Sequence, residues 1–382
     1  MSKPYSVPAE AGPDSGTRDG AGQGSLVLHT TLLGDLIVPN AAGRAEELED
    51  LARRATQYAV RARGDGTRRA YRSAWAGYVS WCRDLGREPL AGDPETIAMY
   101  AVRRADAGRA LSSIRDDLAA IATAHRLAGI PLGLRDARLA PVLEGIARTK
   151  GARPQRQAAP AVPDVLRAML AALGADPIPG KEALLARDRA MLLVGFGAAL
   201  RRSELVGLTI GDVTAVPGRG LRILVRRSKT DQQGRGQDVA VWANPAEPGF
   251  CPAAALEAWL AHRHQAADLQ HADSEPARAE RPLFCGLTKA GRLTGAALSD
   301  KAVVRLVKQA ASAGLDPARF SGHSLRAGLA TAAGDAGAGL AELMRQTRHR
   351  STDVALGYLR PADLWHNNVT EKLFGRTGDE KT

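Results

Sequence analysis

Residues 221–242, LRILVRRSKTDQQGRGQDVAVW, set the fold class, because they interrupt a chain whose apolar spacing is otherwise helical. LRILV and DVAVW are short runs rich in branched residues, which suit a pleated and half-buried backbone. Between them DQQGRGQ holds the glycines a reversal needs, so the stretch reads as two strands and a turn, with Lys229 where the first strand enters that turn.

Outward from the hairpin the pattern is helical in both directions. VPDVLRAMLAALG (162–174) and KEALLARDRAMLLVGFGAAL (181–200) precede it, and helices are expected from CPAAALEAWLAHRHQ (251–265) to the end. Further upstream, AEELEDLARRATQYAV, TRRAYRSAWAGYVSWCRDLG, DPETIAMYAVRRADAG, LSSIRDDLAAIATAHRLAG and RLAPVLEGIART make a small all-α region. Thr67, Asp93 and Ser112 are expected to cap helices there, with Pro94 in the first helical position. KGARPQRQAAPAVP (150–163) has three prolines, basic residues and no periodicity, as an extended linker would. The expected organisation is a flexible tail at 1–44, a helical domain at 45–149, a linker at 150–162, a mainly α domain with a small β-hairpin at 163–363, and a final helix and tail at 364–382. In that last segment Trp365, Val369 and Leu373 share a stripe before Gly375, a face suited to packing on its own domain.

Composition bounds the function. The 382 residues include 52 Lys and Arg against 41 Asp and Glu, a net charge of +11 that favours a polyanionic partner, nucleic acid above all. No apolar run approaches the length of a membrane span and the first residues lack a secretory apolar stretch, so a cytoplasmic, nucleoid-associated protein is expected. Cys82, Cys251 and Cys285 are scattered and odd in number, which argues against a disulfide framework or a zinc site and for reduced packing residues.

The candidate chemistry is spread along the second region. In FSGHSLRAG (320–328), His323 and Arg326 stand three apart and can address one anion from one helical face. In GFGAALRRSELVGL (195–208), Glu204 lies one turn after Arg201 and can fix a guanidinium. RHRSTDVALGYLR (348–360) carries His349 and, nine residues later, Tyr358, the one tyrosine after Tyr100 in a chain with 4 % aromatics; Ser351 or Thr352 can cap the helix that bears it. Taken singly, each feature is equally a surface ion pair, a solvated turn lysine or a packed tyrosine.

In order and spacing, Arg201, Lys229, HSLR, His349 and Tyr358 resemble the active-site series of the tyrosine recombinases, phage integrases and Cre-like enzymes among them, over roughly residues 45 to 374. That resemblance implies a helical, SAM-like core-binding domain joined to a mainly α catalytic domain with a small sheet, the DNA breaking-rejoining fold, the two clamping DNA between them. It implies Tyr358 as a nucleophile that leaves a 3′-phosphotyrosyl link. Arg201 and Arg326 would grip the non-bridging oxygens, His323 and His349 would donate hydrogen bonds or relay protons, and Lys229 would protonate the departing 5′-oxygen. Glu204 would orient Arg201. It further implies a homo-tetramer acting on two duplexes with inverted-repeat sites, in which the final helix at 364–382 docks on a neighbouring protomer. The family usually has glycine before the second histidine, where this chain has Arg348, a side chain expected to crowd the phosphate or add a contact.

Physical chemistry supports those assignments independently. In-line displacement at a phosphodiester gathers charge on equatorial oxygens, which fixed guanidinium groups stabilise. A free phenol, with a pKa of about 10, is expected here to be shifted toward its anion by the surrounding cations. No acidic cluster suggests paired metal ions, so neither metal nor other cofactor is expected, nor any small-molecule substrate. Arg68, Arg69 and Arg72 are expected to touch phosphate while Tyr71, Trp75 and Tyr78 pack inward, and Lys301, Arg305 and Lys308 form one stripe suited to a groove. His264, Asp268 and His271 share a helical spacing that could ligate a metal but read better as a solvated face. Rival readings are a type IB topoisomerase-like nicking and closing enzyme and a catalytically silent DNA-binding regulator.

Overall fold

The computed structural model describes residues 50, 51, 53, 54, 64–151, 158–175, 180–226, 236–265, 274–312, 314–363 and 370. The expected tail at 1–44, Lys229, Asp268, His271 and the stripe of Trp365, Val369 and Leu373 lie outside the described residues. The chain divides into two compact units, Met1–Gln155 and Arg156–Thr382.

Besides the helical residues 50, 51, 53 and 54, the described part of the first unit holds four helices: α1 (Asp65–Asp84), α2 (Pro94–Asp106), α3 (Leu111–Leu127) and α4 (Ala140–Lys150). Trp75, Tyr78 and Trp81 repeat at helical spacing on α1 and are buried, with Tyr71 only half-buried. Tyr100 of α2 meets Tyr78 edge-on with ring centroids 5.1 Å apart, the arrangement that opposed ring quadrupoles favour. Ile97, Ile114, Leu118 and Ile121 complete this core. Asp93 caps α2 as expected, accepting from the amides of Glu95 and Thr96, with Pro94 following it. The two other caps are corrected. The first backbone bonds run from Arg68 to the Gly64 carbonyl and from Ile114 to the Ala110 carbonyl, so Thr67 and Ser112 sit inside helices that begin earlier.

The second unit opens with α5 (Pro163–Gly174), α6 (Glu182–Gly197) and the short α7 (Arg202–Val206). The expected hairpin is present as β2 (Gly220–Val225) and β3 (Gln237–Trp242), paired antiparallel with Ile223 opposite Val239. It is extended by β1 (Val213–Val216) on the free edge of β2, making a three-stranded sheet. After α8 (Pro252–His264) and α9 (Glu275–Ala279), β4 (Cys285–Leu287) and β5 (Leu293–Ala297) form a second antiparallel pair where helix was expected. The unit closes with α10 (Asp300–Ala311), α11 (Ser324–Asp335), α12 (Leu340–Thr347) and α13 (Thr352–Asp363).

The core forms where α6, buried from Ala190 through Val194, meets α8, the inner face of the sheet and α10. Trp259 of α8 is fully buried, and its indole N–H donates to the Leu283 carbonyl at 2.8 Å, so the largest apolar side chain brings no unpaired donor inside. Cys82, Cys251 and Cys285 are buried and carry no disulfide. Among the described residues no helix is long and apolar enough to cross a membrane.

Of the stretch expected as a linker, residues 152–157 lie outside the described residues, while 158–162 run along the second unit. The Ala159 and Ala161 amides donate to the carbonyls of Arg319 and Ser324, at 2.7 and 2.9 Å. Ala161 crosses α11 at Gly328, where a Cβ would fall 2.1 Å from the Ala161 carbonyl oxygen. Only glycine permits that approach, and it fixes the start of α11 in place.

Candidate active site

The site is built on a distorted turn between α6 and α7. Ala199 takes φ +47°, a left-handed conformation that turns the chain out of α6 and leaves its carbonyl oxygen open to side-chain donors. Two residues on, Arg201 is the N-cap of α7. Its amide donates to Glu204 Oε2 at 3.0 Å and its Nη1 to Glu204 Oε1 at 2.5 Å. Glu204 is buried with 2 % of its side chain exposed, whereas Arg201 keeps 19 %, so the carboxylate fixes the guanidinium from the inner side.

Arg326 enters from α11. It is fully buried, donates through Nη1 to the Ala199 carbonyl at 2.7 Å, and holds Nη2 without a partner among the described residues. A buried guanidinium nitrogen left unpaired costs free energy on the order of a lost charged hydrogen bond, unless an anion arrives to accept it. His323 is not on the helix face expected for it but at the N-cap of α11, one turn before Arg326. From there its Nε2 lies 2.9 Å from the Tyr358 hydroxyl.

Tyr358 is half-buried on α13, a helix whose start is capped by Ser351, the hydroxyl of which lies 3.5 Å from the Val354 amide. It packs with Ala330, Leu343 and Ala355. The His349 ring stacks on the phenol, with centroids 5.7 Å apart and planes 11° from parallel. Thr347 sets the histidine tautomer. Its one hydroxyl proton goes to the Leu343 carbonyl at 2.6 Å, so its contact of 2.9 Å with His349 Nδ1 must be an N–H donating to the threonine oxygen.

Burial and cations tune these groups. His323 is held below the ordinary histidine value by burial first, then by Arg326 and Arg201. The same influences, with His323 and Arg348 added, push His349 down to about 4. Both rings are therefore neutral at pH 7. Tyr358 corrects an expectation: its pKa is raised rather than lowered, because burial outweighs the favourable fields of Arg326 and Arg201. The resting nucleophile candidate is a protonated phenol within hydrogen-bond distance of a neutral His323, whose Nε2 can take the proton in the tautomer that leaves that nitrogen bare.

The expectation for Arg348 is also corrected. It ends α12 in the left-handed region, φ +57°, but its side chain turns inward and is only 2 % exposed. Its Nη2 bonds Glu204 Oε2 at 2.8 Å and the Ala199 carbonyl at 3.3 Å, and its Nη1 bonds the Ala198 carbonyl at 3.0 Å. It reaches the cluster of candidate residues from behind instead of crowding its mouth.

Arg201, Glu204, His323, Arg326, His349 and Tyr358 are thus brought together from α7, α11, the link between α12 and α13, and α13 itself; Lys229 lies outside the described residues. Of the expected DNA contacts, Arg69 and Arg72 are exposed and Arg68 half-buried on α1, while Lys301, Arg305 and Lys308 are exposed on α10, opposite buried Val303, Leu306 and Val307. Arg202 pairs with Asp300 at 3.1 Å, which sets the start of that basic stripe beside α7. His264 is exposed at the end of α8, and among the described residues no three His, Cys, Asp or Glu are grouped as for a metal ion. Thr347 and the Ala199 carbonyl had no signal in the sequence, and Arg348 stood out there only as a side chain in place of the family's usual glycine, with nothing to show that it turns inward to Glu204.

Comparison with known proteins agrees with this geometry. The model of the phage integrase family matches residues 163–364. An integrase/recombinase xerD homolog of Selenomonas ruminantium is 31 % identical over 347 residues, 89 % of this chain and 94 % of that protein. A tyrosine recombinase of Synechococcus elongatus is 31 % identical over 322 residues, 81 % of this chain and 89 % of that protein. Among solved structures, a XerH site-specific recombinase bound to a palindromic difH substrate superposes with a TM-score of 0.55 over 90 % of this chain and 86 % of that one, a likeness of fold at 17 % identity. With a matched family model over more than half its length and relatives this similar from end to end, the chain belongs to the phage integrase family and is a tyrosine recombinase.

Proposed function

We propose that the protein cleaves and rejoins DNA at specific sites through a covalent 3′-phosphotyrosyl intermediate formed on Tyr358. The observation that carries this reading is the 2.9 Å contact between the Tyr358 hydroxyl and His323 Nε2, set beside a buried Arg326 whose Nη2 has no partner among the described residues. A scissile phosphate supplies the missing acceptor. The phenol oxygen attacks phosphorus in line, its proton passes to neutral His323, and the bond to the 5′-oxygen breaks. Charge gathering on the non-bridging oxygens meets Arg201 and Arg326, already held in place by Glu204 and the Ala199 carbonyl, so little reorganisation is needed. The phenol and the cations belong to one chain, which suits cleavage in cis.

Lys229, which the sequence places between β2 and β3, protonates the leaving 5′-oxygen. Because the phosphotyrosyl ester replaces one phosphodiester with a similar bond, a second 5′-hydroxyl reverses the attack and joins the strands. Neither ATP nor a divalent ion has a step in this cycle. The exposed cations of α1 and α10 track phosphates, and two duplexes with inverted-repeat sites are joined by a tetramer in the cytoplasm, at the nucleoid.

Wild type incubated with nicked suicide duplexes, or rapidly denatured with genomic DNA, forms a protein–DNA adduct whose sequencing reports the target site. Tyr358→Phe binds the same DNA and forms none; a Phe variant that still became linked to DNA would remove Tyr358 from the nucleophile's role. Lys229→Ala cleaves slowly and is rescued by a 5′-thio leaving group, which departs without protonation. Equal impairment on both substrates would take the acid role from Lys229. Relaxation of supercoils by monomers without exchange between sites would favour a topoisomerase-like cycle instead.

A further inference from the structure

We propose that Arg348 is a positioning residue that supplies the counter-charge to Glu204, leaving the charge of Arg201 available to the scissile phosphate while also fixing the carbonyl that orients Arg326. This rests on the reading of Arg201 and Arg326 as the groups that meet the phosphate.

The electrostatic problem is visible in the site. Glu204 must lie against Arg201 to hold it, and a carboxylate with Nη1 at 2.5 Å cancels most of the field that guanidinium could direct at a phosphate. A second guanidinium on the far side of the carboxylate restores it. Arg348 stands there, 2.8 Å from Glu204 Oε2 and as fully buried as Glu204 itself. Three cations, Arg201, Arg326 and Arg348, then share one anion, and the buried cluster keeps two net positive charges.

The second part of the role is mechanical. The Ala199 carbonyl accepts from Arg326 at 2.7 Å and from Arg348 at 3.3 Å, and Ala198 accepts from Arg348 at 3.0 Å. Ala199 and Arg348 are the non-glycine residues at positive φ among the described residues, and one side chain ties them together. The distorted turn that starts α7 is thereby pinned by the residue that ends α12, next to His349. Glycine at 348 would take the same backbone conformation with less strain; the arginine is tolerated there because its side chain has this buried destination.

The test is single-turnover cleavage of a suicide duplex by the full-length protein, measured alongside DNA affinity. Arg348→Met keeps the unbranched stem and the backbone strain but removes the guanidinium and its charge: affinity stays within about twofold while the rate constant falls about 10- to 100-fold, the effect of losing charge and placement at the reacting centre. Arg348→Lys restores most of the rate. Glu204→Gln combined with Arg348→Met cleaves faster than Arg348→Met alone, because nothing then cancels Arg201. A merely structural loss lowers the amplitude of adduct, not the rate constant of the folded fraction, and makes the double variant slower still. Wild-type rates for Arg348→Met, or a double variant slower than that single one, would overturn the proposal. If Arg348→Met fails to fold, the double variant decides: cleavage within about tenfold of wild type supports the proposal and a hundredfold loss overturns it. Absence of any wild-type adduct would instead refute the phosphotyrosyl reading.

Discussion

Replacing Glu204 with alanine should destabilise the second unit far more than a surface carboxylate would. Three charged or backbone donors lose their acceptor together: the Arg201 amide at 3.0 Å, Arg201 Nη1 at 2.5 Å and Arg348 Nη2 at 2.8 Å. Arg201, with 19 % of its side chain exposed, can recover water. Arg348, 2 % exposed, cannot, and it retains only carbonyl partners at Ala198, Ala199 and Gln346. Stranding one member of a buried ion pair costs about 3–5 kcal/mol, against about 0–1 kcal/mol for an exposed pair. Glu204→Gln keeps an acceptor of the same shape and should lose about half as much. The assay is urea-dependent hydrogen exchange of the full chain, followed in peptides covering α7, α11 and α12, so that the first unit does not mask the effect. A loss below about 1 kcal/mol for Glu204→Ala would refute the view that this carboxylate balances a buried cation. The same pair gives an acid signature. Burial raises the Glu204 pKa, but the Arg201 amide, Arg348 and the Arg201 side chain outweigh it, and the net position is below the ordinary value of 4.5. Its stabilisation is therefore complete above pH 4.5 and lost as pH falls through the lowered native value; Glu204→Gln should lack that step.

Cleavage should require neutral His323, so its rate should hold as pH drops through the ordinary histidine value of 6.5 and decline only below it; an acid limb centred at or above 6.5 would contradict the burial and cation effects on that ring. Thr347→Val should release the Nδ1–H tautomer of His349, visible as changed ring nitrogen shifts by NMR, whereas Thr347→Ser should preserve it; identical spectra for both would remove Thr347 from that role. Gly328→Ala should push Ala161 off α11 and destabilise the second unit by about 1–3 kcal/mol, since the clash is with backbone that cannot swing aside; an unchanged unfolding midpoint would show that the crossing is looser than described.

The parts of the fold that sequence disclosed are those with enough length to show a period. α10 carries its apolar stripe over three turns, and β2 and β3 are six-residue runs of branched residues. β1 has four residues and β4 three, too few for alternation to emerge, and β4 exists only by pairing with β5 across a turn. Helix starts at Gly64 and Ala110 escaped because neither cap uses a side chain. The site divides in the same way. Its reactive residue types kept their order in the sequence, so Arg201, His323, Arg326, His349 and Tyr358 could be named. What surrounds them is tertiary: the sign of the Tyr358 shift depends on how deeply α13 seats the phenol, and the role of Arg348 depends on a carboxylate 144 residues away.

The account stands or falls on which atom becomes bonded to DNA. Wild-type protein trapped on a suicide duplex, digested with nuclease and protease and mapped by tandem mass spectrometry, should carry its nucleotide remnant on Tyr358, attached through the 3′-phosphate. A remnant on any other residue, or a 5′-phosphate linkage at Tyr358, would contradict it.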